Sequence, residues 1–124
     1  NNLPITIYGD GTNIRDWLYV EDHVEAIDTI FHSNKIGETF NIGGNNEITN
    51  NKITDILISK IDKKLNRPEG KSKSLITYVK DRLGHDKRYA IDNTKIKKEL
   101  GWKPKHSFDS GINKTINWYL DNLD

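Results

Sequence analysis

Residues 13–23 read NIRDWLYVEDH, and the hydrophobic pattern of the chain changes within them. Residues 16–20 are rich in aromatic and β-branched side chains, which favours an extended strand. After them the apolar residues recur at helical spacing, at Val20, Val24, Ile27, Ile30 and Phe31. Glu21 and Asp22 fall in the first turn, where the helix dipole favours acidic side chains. The stretch therefore predicts a strand that leads directly into an amphipathic helix.

Similar local signals recur along the chain and predict a mixed α/β fold built from short strands. Further strands are predicted at residues 5–8, 38–44, 75–79 and 89–91. Further helices are predicted to follow Thr49 or Asn50, Asp92 or Asn93, and Ser107. The polar residues 66–74 predict a mobile loop. The pattern shows no repeat and no clean domain boundary.

The composition is lean for a self-sufficient α/β domain. The 124 residues are enough for one domain, but only 34% are hydrophobic while 30% are charged. The sequence contains no methionine, even at its first position. We therefore expect part of the natural core to lie on sequence outside this chain, and the chain alone to expose apolar surface.

The charge balance and the absence of cysteine exclude several classes of protein. Nineteen basic residues against eighteen acidic ones give a net charge of +1, which argues against nucleic-acid and membrane-surface binding. Without cysteine there is no disulfide framework and no thiolate zinc site. No apolar run approaches the length of a membrane span, and no signal-peptide pattern is present. We expect a cytoplasmic protein without nucleic-acid or membrane partners.

The usual signatures of a catalytic or cofactor site are missing. There is no glycine-rich dinucleotide fingerprint and no P-loop, because Gly9 and Gly11 lack a third glycine and no helical pattern follows them directly. No Tyr-x-x-x-Lys couple stands in a helical setting. His23 and His32 are not at metal-ligand spacing. The sequence therefore predicts no catalytic, cofactor-binding or metal-binding residue in this chain.

Two charged segments remain as candidates for anion binding. Arg15 lies between a glycine turn and an aromatic residue, and a guanidinium suits bidentate contact with a phosphate. Residues 81–89 place three basic side chains and a histidine on one connection between two predicted strands. From the residues alone, Arg15 and Asp16 are more often an ordinary surface pair, and the charged connection is equally a solvated loop.

Five motifs together resemble a known family. Residues 13–23 resemble the R-D-W-x-Y-V-x-D-H segment of extended short-chain dehydrogenases/reductases that act on nucleotide sugars, and residues 40–44 resemble their Y/F-N-I-G-G strand. Residues 100–104 and 111–119 are similar to L-G-W-x-P and G-x-x-K-T-x-x-W-Y. Residues 81–89 resemble D-R-P-G-H-D-R-R-Y, which is typical of the dTDP-glucose 4,6-dehydratases, although Leu83 replaces the proline and predicts a less rigid loop.

This resemblance implies a fold and a set of substrate-binding residues. The chain would be the carboxyl-terminal portion of an extended Rossmann-type, NAD(P)-dependent nucleotide-sugar enzyme, with residues 1–124 forming the substrate-binding region and the amino-terminal NAD-binding region absent. The strand at residues 6–8 would lie along the nucleobase, Arg15 and Arg82 would contact the diphosphate, and Asn50 and His85 would complete the pocket. The implied substrate-binding residues are Thr6, Ile7, Tyr8, Arg15, Asn50, Arg82 and His85.

The resemblance also implies an activity for the whole enzyme. Bound NAD would take a hydride from C4 of dTDP-glucose, water would leave across C5 and C6, and the hydride would return at C6. The NAD site and the catalytic groups would lie in the amino-terminal region, so that this lyase, expected to be a homodimer, would be inactive as the present chain alone. The alternatives are another nucleotide-sugar epimerase or dehydratase of the same superfamily, and a non-catalytic module that binds nucleotide sugars or a partner protein.

Overall fold

The structure is a computed structural model, and it describes residues 3–122. Its secondary structure alternates short strands with helices, as the sequence predicts. The strands are β1 (Ile5–Tyr8), β2 (Ile14–Asp16), β3 (Glu47–Thr49) and β4 (Ile76–Val79). The helices are α1 (Val20–Phe31), α2 (Asn50–Lys64), α3 (Thr94–Leu100) and α4 (Phe108–Asp121), with one 3-10 helix at Lys71–Leu75.

The described residues form two compact units. The first unit contains residues 3–15 and Ile48–Tyr89, and the second contains Asp16–Glu47 and residues 90–122. Each unit is therefore built from two separate segments of the chain. This arrangement explains why the sequence shows no clean domain boundary.

The first unit is organised by a parallel pair of strands. β1 pairs with β4 in a register that sets Ile5 beside Ile76 and Tyr8 beside Val79. The Gly9 N–H continues the ladder by donating to the Val79 carbonyl at 2.9 Å. Because parallel strands end at the same edge, the loop that follows β1 and the connection that follows β4 begin side by side.

The loop after β1 is also tied to the start of α2. The Asn51 N–H donates to the Gly11 carbonyl at 2.9 Å, and the Asn51 side-chain amide donates to the Asp10 carbonyl at 2.9 Å. Gly11 has a φ of +71°, and a Cβ there would lie 2.0 Å from Asn51 Oδ1. Thr49 caps α2 by accepting from the Lys52 N–H at 3.2 Å, which confirms one of the two predicted caps.

A buried carboxylate orders the segment that the sequence predicts to be a mobile loop. Asp62 on α2 is fully buried and accepts the Ser72 hydroxyl at 2.5 Å and the Ser72 N–H at 3.1 Å. The hydrogen bond from that hydroxyl is the main reason why the pKa of Asp62 lies below its usual value. The prediction for residues 66–74 was therefore incomplete, because their second half forms the 3-10 helix Lys71–Leu75 against this side chain.

The second unit packs around α1 and α3. Its buried cluster consists of Ala26, Ile96 and Trp102, with partly buried apolar side chains around it from Leu18, Ile30, Phe40, Ile42 and Leu100. α3 ends at Gly101, whose φ of +69° is typical of a helix C-cap. Ser107 caps α4 by accepting from the Ser110 N–H at 3.2 Å. These helix boundaries agree with the sequence predictions.

A second buried carboxylate joins α1 to the segment before α4. Asp22 is 1% exposed and accepts the backbone N–H groups of Lys105 and His106 at 3.2 and 3.1 Å. The His106 ring donates through Nδ1 at 2.9 Å. Burial alone would raise the pKa of Asp22, but these hydrogen bonds outweigh burial and lower it. Asp22 therefore stabilises this unit in its ionised form.

Two predicted strands do not form, and the strand predicted at residues 16–20 is displaced, because β2 covers Ile14–Asp16 and α1 begins at Val20. Residues 38–44 and 89–91 contain no strand, because no ladder partner for them exists among residues 3–122. Near the second segment there is only an isolated parallel bridge between Ile14 and Arg88. The glycine turn after residue 42 is instead held by Asp16, which accepts the Gly44 N–H at 2.9 Å and the Asn46 N–H at 2.7 Å.

One face of α1 carries exposed apolar side chains. Val20, Val24, Ile27 and Phe31 follow one another at helical spacing and are all more than half exposed, with Phe31 reaching 81%. The opposite face buries Asp22 and Ala26. The structure thus contains exposed apolar surface of the kind that the lean composition predicts.

Gly44→Ala tests the tight turn beside Asp16. A Cβ at Gly44 would lie 2.5 Å from the Trp17 backbone carbonyl oxygen, which cannot rotate away. We expect a loss of about 2 kcal/mol or more in the free energy of unfolding, measured by urea denaturation. Gly37→Ala is the control, since a Cβ there meets nothing within 4 Å and only its φ of +74° adds strain, of about 1 kcal/mol. Equal losses in both variants would contradict the steric account.

Acid titration tests the role of Asp22. The pKa of Asp22 in the folded state lies below the ordinary value of 3.8. Its stabilising effect is therefore fully present above pH 3.8 and is lost as the pH falls through the folded-state pKa. We expect Asp22→Asn to cost about 1–3 kcal/mol at pH 7 and to reduce the loss of stability in acid. Asp28→Asn, at an exposed position of the same helix, is the control. An unchanged acid profile in Asp22→Asn would be evidence against this role.

Candidate functional site

All seven predicted substrate-binding residues lie in the first unit. They occupy β1, β2, the first turn of α2 and the connection after β4: Thr6, Ile7, Tyr8, Arg15, Asn50, Arg82 and His85. β1 and β4 are parallel, so the segments that carry Arg15 and Arg82 leave the sheet at the same edge. The site is therefore assembled by strand pairing between distant parts of the chain.

Arg15 is held by its neighbours before any ligand binds. Its Nη1 donates to the Ile14 carbonyl at 2.6 Å, and its Nη2 donates to the Asp86 carbonyl at 3.0 Å. The guanidinium carbon lies 4.6 Å from the centre of the Tyr89 ring. Both hydrogen bonds go to neutral carbonyl groups, so the positive charge of Arg15 has no carboxylate partner among residues 3–122.

Arg82 lies over the end of β1. Its guanidinium carbon is 5.2 Å from the centre of the Tyr8 ring, and its backbone N–H donates to Asp81 Oδ1 at 2.8 Å. Within the described part of the chain, its guanidinium donates no hydrogen bond and forms no ion pair. Arg82 is therefore available to an anion that approaches the exposed side of Tyr8.

His85 stabilises the loop that carries Arg82. Its Nδ1 lies 2.6 Å from Asp81 Oδ1, and its side chain is only 5% exposed. The hydrogen bond from His85 is the main reason why the pKa of Asp81 is lowered. One ring nitrogen is thus committed to Asp81, a residue for which the sequence suggested no role. The predicted contact between His85 and a ligand remains a prediction.

The three residues of β1 divide between two faces. Thr6 and Tyr8 are exposed, whereas the Ile7 side chain is buried at 5% exposure. Successive side chains of a strand point to opposite faces, so Ile7 lies on the face opposite to Thr6 and Tyr8. Only Thr6 and Tyr8 can therefore present side chains to a ligand on the exposed face, while Ile7 supports the strand from behind.

Asn50 occupies the first turn of α2. Its backbone N–H donates to the Asn13 carbonyl at 3.0 Å, two residues before Arg15. Its side-chain amide makes no hydrogen bond within residues 3–122. A free amide beside a helix N-terminus is suited to a polar ring or to a phosphate oxygen.

The phenol of Tyr89 is influenced by the charges of both Arg15 and Arg82. The pKa of Tyr89 is raised, first by the hydrogen bond from its hydroxyl to the Asp86 carboxylate, then by the charge of Asp86 and by burial. The positive charges of Arg15 and Arg82 both act in the opposite direction on this phenol. No role was predicted for Tyr89, although it is the aromatic residue that ends the motif at residues 81–89.

The arrangement can bind a multiply charged anion. Neither Arg15 nor Arg82 forms an ion pair with a carboxylate of residues 3–122, and Lys87, on the same connection as Arg82, donates from Nζ to the Thr12 hydroxyl. Guanidinium groups bind diphosphate oxygens in bidentate fashion, and neighbouring aromatic side chains can pack against the apolar parts of a ligand.

No three His, Cys, Asp or Glu side chains among residues 3–122 are placed to hold a metal ion. None of the described helices is long and apolar enough to cross a membrane.

Comparison with known proteins identifies relatives over nearly the whole chain. The family model described as GDP-mannose 4,6 dehydratase matches residues 1–115. A dTDP-glucose 4,6-dehydratase from Escherichia coli is 53% identical over 119 residues, which are 95% of this chain and 32% of that protein. The chain therefore spans about a third of the length of that relative.

Solved structures share the fold. DesIV, a dTDP-glucose 4,6-dehydratase from Streptomyces venezuelae with NAD and TYD (dTDP) bound, matches 97% of this chain and 35% of its own, with 37% identity and a TM-score of 0.82. A UDP-glucose 4-epimerase from Thermotoga maritima with UDP-glucose matches 99% of this chain and 37% of its own, with 28% identity and a TM-score of 0.80.

These similarities confirm the predicted fold class, a carboxyl-terminal portion of an extended Rossmann-type enzyme with short strands and helices. They also confirm the resemblance to dTDP-glucose 4,6-dehydratases that the five motifs indicated. The chain belongs to the GDP-mannose 4,6-dehydratase family.

Proposed function

We propose that this chain is the nucleotide-sugar-binding region, residues 1–124, of an NAD-dependent dTDP-glucose 4,6-dehydratase. The observation that carries the proposal is the placement of Arg15 and Arg82. They lie on segments that leave one edge of a parallel strand pair, and each guanidinium lies over an aromatic ring, Arg15 over Tyr89 and Arg82 over Tyr8. The proposed ligand is dTDP-glucose, whose diphosphate would accept hydrogen bonds from both guanidinium groups.

The remaining residues of the site fit the other parts of such a ligand. The exposed face of β1 offers Thr6 and Tyr8 to the nucleobase, with Ile7 buried behind them. The free side-chain amide of Asn50 can donate to the nucleotide and accept from it. His85, whose Nδ1 is hydrogen-bonded to Asp81, holds the loop that carries Arg82, and it would contact the ligand through its second ring nitrogen.

Sequence similarity favours a dehydratase over an epimerase. Both kinds of enzyme give TM-scores near 0.8, so the fold does not separate them. The identity is 53% with the Escherichia coli dehydratase and 28% with the Thermotoga maritima epimerase. Binding of UDP- or GDP-sugars that is tighter than binding of dTDP-glucose would favour one of the other nucleotide-sugar enzymes.

NAD does not fit the residues of this chain. Gly43 and Gly44 pack against Asp16 and Trp17, where a Cβ would meet atoms at 2.5 Å, so they leave no cradle for a diphosphate. The loop at Gly9 and Gly11 leads to a strand, not to the helix that a dinucleotide fingerprint requires. In the proposed enzyme, NAD and the catalytic groups belong to the amino-terminal region. This chain contributes substrate binding and orientation, and alone it would not catalyse the reaction.

The proposed enzyme is a cytoplasmic homodimer without nucleic-acid or membrane partners. The near-neutral charge of the chain supports the absence of nucleic-acid and membrane partners, since binding to either polyanionic surface favours a basic excess. Its overall reaction converts dTDP-glucose to dTDP-4-keto-6-deoxyglucose and water.

Substitution of the two arginines tests the binding site. In the intact enzyme, Arg15→Ala and Arg82→Ala should each raise the KM for dTDP-glucose about 10-fold or more, because a hydrogen bond to a charged group contributes roughly 1.5–3 kcal/mol. We expect kcat to change much less, since the diphosphate is remote from the reacting carbons. Initial-rate kinetics measure both constants.

Arg67→Ala is the matched control for this experiment. Arg67 follows α2 and lines a separate cavity of about 260 Å³ together with Lys71 and Leu75. Its replacement should leave the KM unchanged. If the KM stays constant in Arg15→Ala and Arg82→Ala as well, the proposed diphosphate site is wrong.

A further inference from the structure

We infer that Tyr89 is a positioning residue for nucleotide binding, which fixes the plane of the Arg15 guanidinium through its aromatic ring. The inference rests on the proposed function, because it concerns the same diphosphate site. It assigns a role to a residue that lies at the end of the motif at residues 81–89 but is not among the predicted substrate-binding residues.

Arg15 needs such support because its side chain is long and its binding groups must face the ligand. The guanidinium lies 4.6 Å from the centre of the Tyr89 ring, close enough for a cation–π contact. Contact with the ring covers one face of the guanidinium. The N–H groups lie in the guanidinium plane and can still donate hydrogen bonds from its edge. One of these, on Nη2, is engaged by the Asp86 carbonyl at 3.0 Å, which fixes the rotation within the plane.

Tyr89 is itself fixed relative to the backbone of Arg15. The Tyr89 N–H donates to the Ile14 carbonyl at 3.0 Å, and the Ile14 N–H donates to the Lys87 carbonyl at 2.8 Å. These two bonds flank the parallel bridge between Ile14 and Arg88. The ring and the guanidinium therefore project from neighbouring extended segments in a set register, so their contact does not depend on a flexible loop.

The Tyr89 hydroxyl also has a partner and is not directed to a ligand. It donates to the Asp86 carboxylate, while the backbone carbonyl of the same residue accepts from Arg15. This hydrogen bond restrains the ring and gives the carboxylate a partner other than Arg15. Arg15 thus keeps its net positive charge for an anion. Tyr89 consequently acts through Arg15, not by touching the nucleotide.

A double-mutant cycle in the intact enzyme tests this role, with dTDP binding measured by calorimetry. Tyr89→Leu should raise the Kd for dTDP about 5- to 10-fold, whereas the same substitution in an Arg15→Ala background should have almost no effect. In an Arg82→Ala background its effect should persist, because the ring packs on Arg15. Tyr89→Phe, which keeps the ring, should retain most of the affinity. The KM should rise in Tyr89→Leu with kcat nearly constant.

Two further variants keep the experiment decisive. Tyr89 is 50% exposed, so Tyr89→Leu should fold, and Tyr119→Leu at an exposed tyrosine of the other unit should leave the Kd unchanged. If Tyr89→Leu lowers the yield of folded protein, Tyr89→Gln provides a second variant without the ring, and its effect on the Kd should likewise disappear in an Arg15→Ala background.

The outcomes separate this inference from the proposed function. If Arg15→Ala leaves the Kd for dTDP unchanged, the proposed diphosphate site itself fails. If Arg15→Ala weakens binding but the effect of Tyr89→Leu is absent, or adds fully to that of Arg15→Ala, only the positioning role of Tyr89 is overturned.

Discussion

Parallel pairing of β1 with β4 is the constraint on which the candidate site depends. Residues from the start of the chain and residues beyond position 75 become neighbours only through this ladder. Since both strands end at one edge, the segments that carry Arg15 and Arg82 start side by side. The buried Ile7 side chain anchors β1, and the Tyr78 hydroxyl donates to Asn51 at 3.1 Å, which links β4 to α2. Loss of the pairing would leave two basic segments without a common site.

The elements that the sequence predicts well are those with local signals. β1 alternates apolar and polar side chains and ends at a glycine turn, and α1 begins at Val20 where the period changes. Thr49 and Ser107 act as caps through bonds to N–H groups three residues away. The predicted strands at residues 38–44 and 89–91 were wrong because a strand also needs a partner, and pairing is not encoded locally.

The residues of the candidate site likewise divide into those that local sequence signals predict and those that depend on distant partners. Arg15 and Arg82 were predictable because a guanidinium suits phosphate and because the motifs match a family. Tyr89, Asp81 and Asn51 had no predicted role, although the first two belong to a family motif, because they contact other residues of the site and not the proposed ligand. A pattern in one sequence identifies groups with the right chemistry, but it does not identify the groups that hold them in place.

The central claim is that Arg15 and Arg82 bind one diphosphate. Their environments support it, since Arg15 is hydrogen-bonded only to carbonyl groups and the Arg82 guanidinium donates no hydrogen bond within residues 3–122. A crystal structure of the intact protein with dTDP bound tests the claim most directly. The account predicts both guanidinium groups within about 3 Å of phosphate oxygens of the same ligand. A diphosphate bound elsewhere, or one that contacts neither arginine, would contradict it.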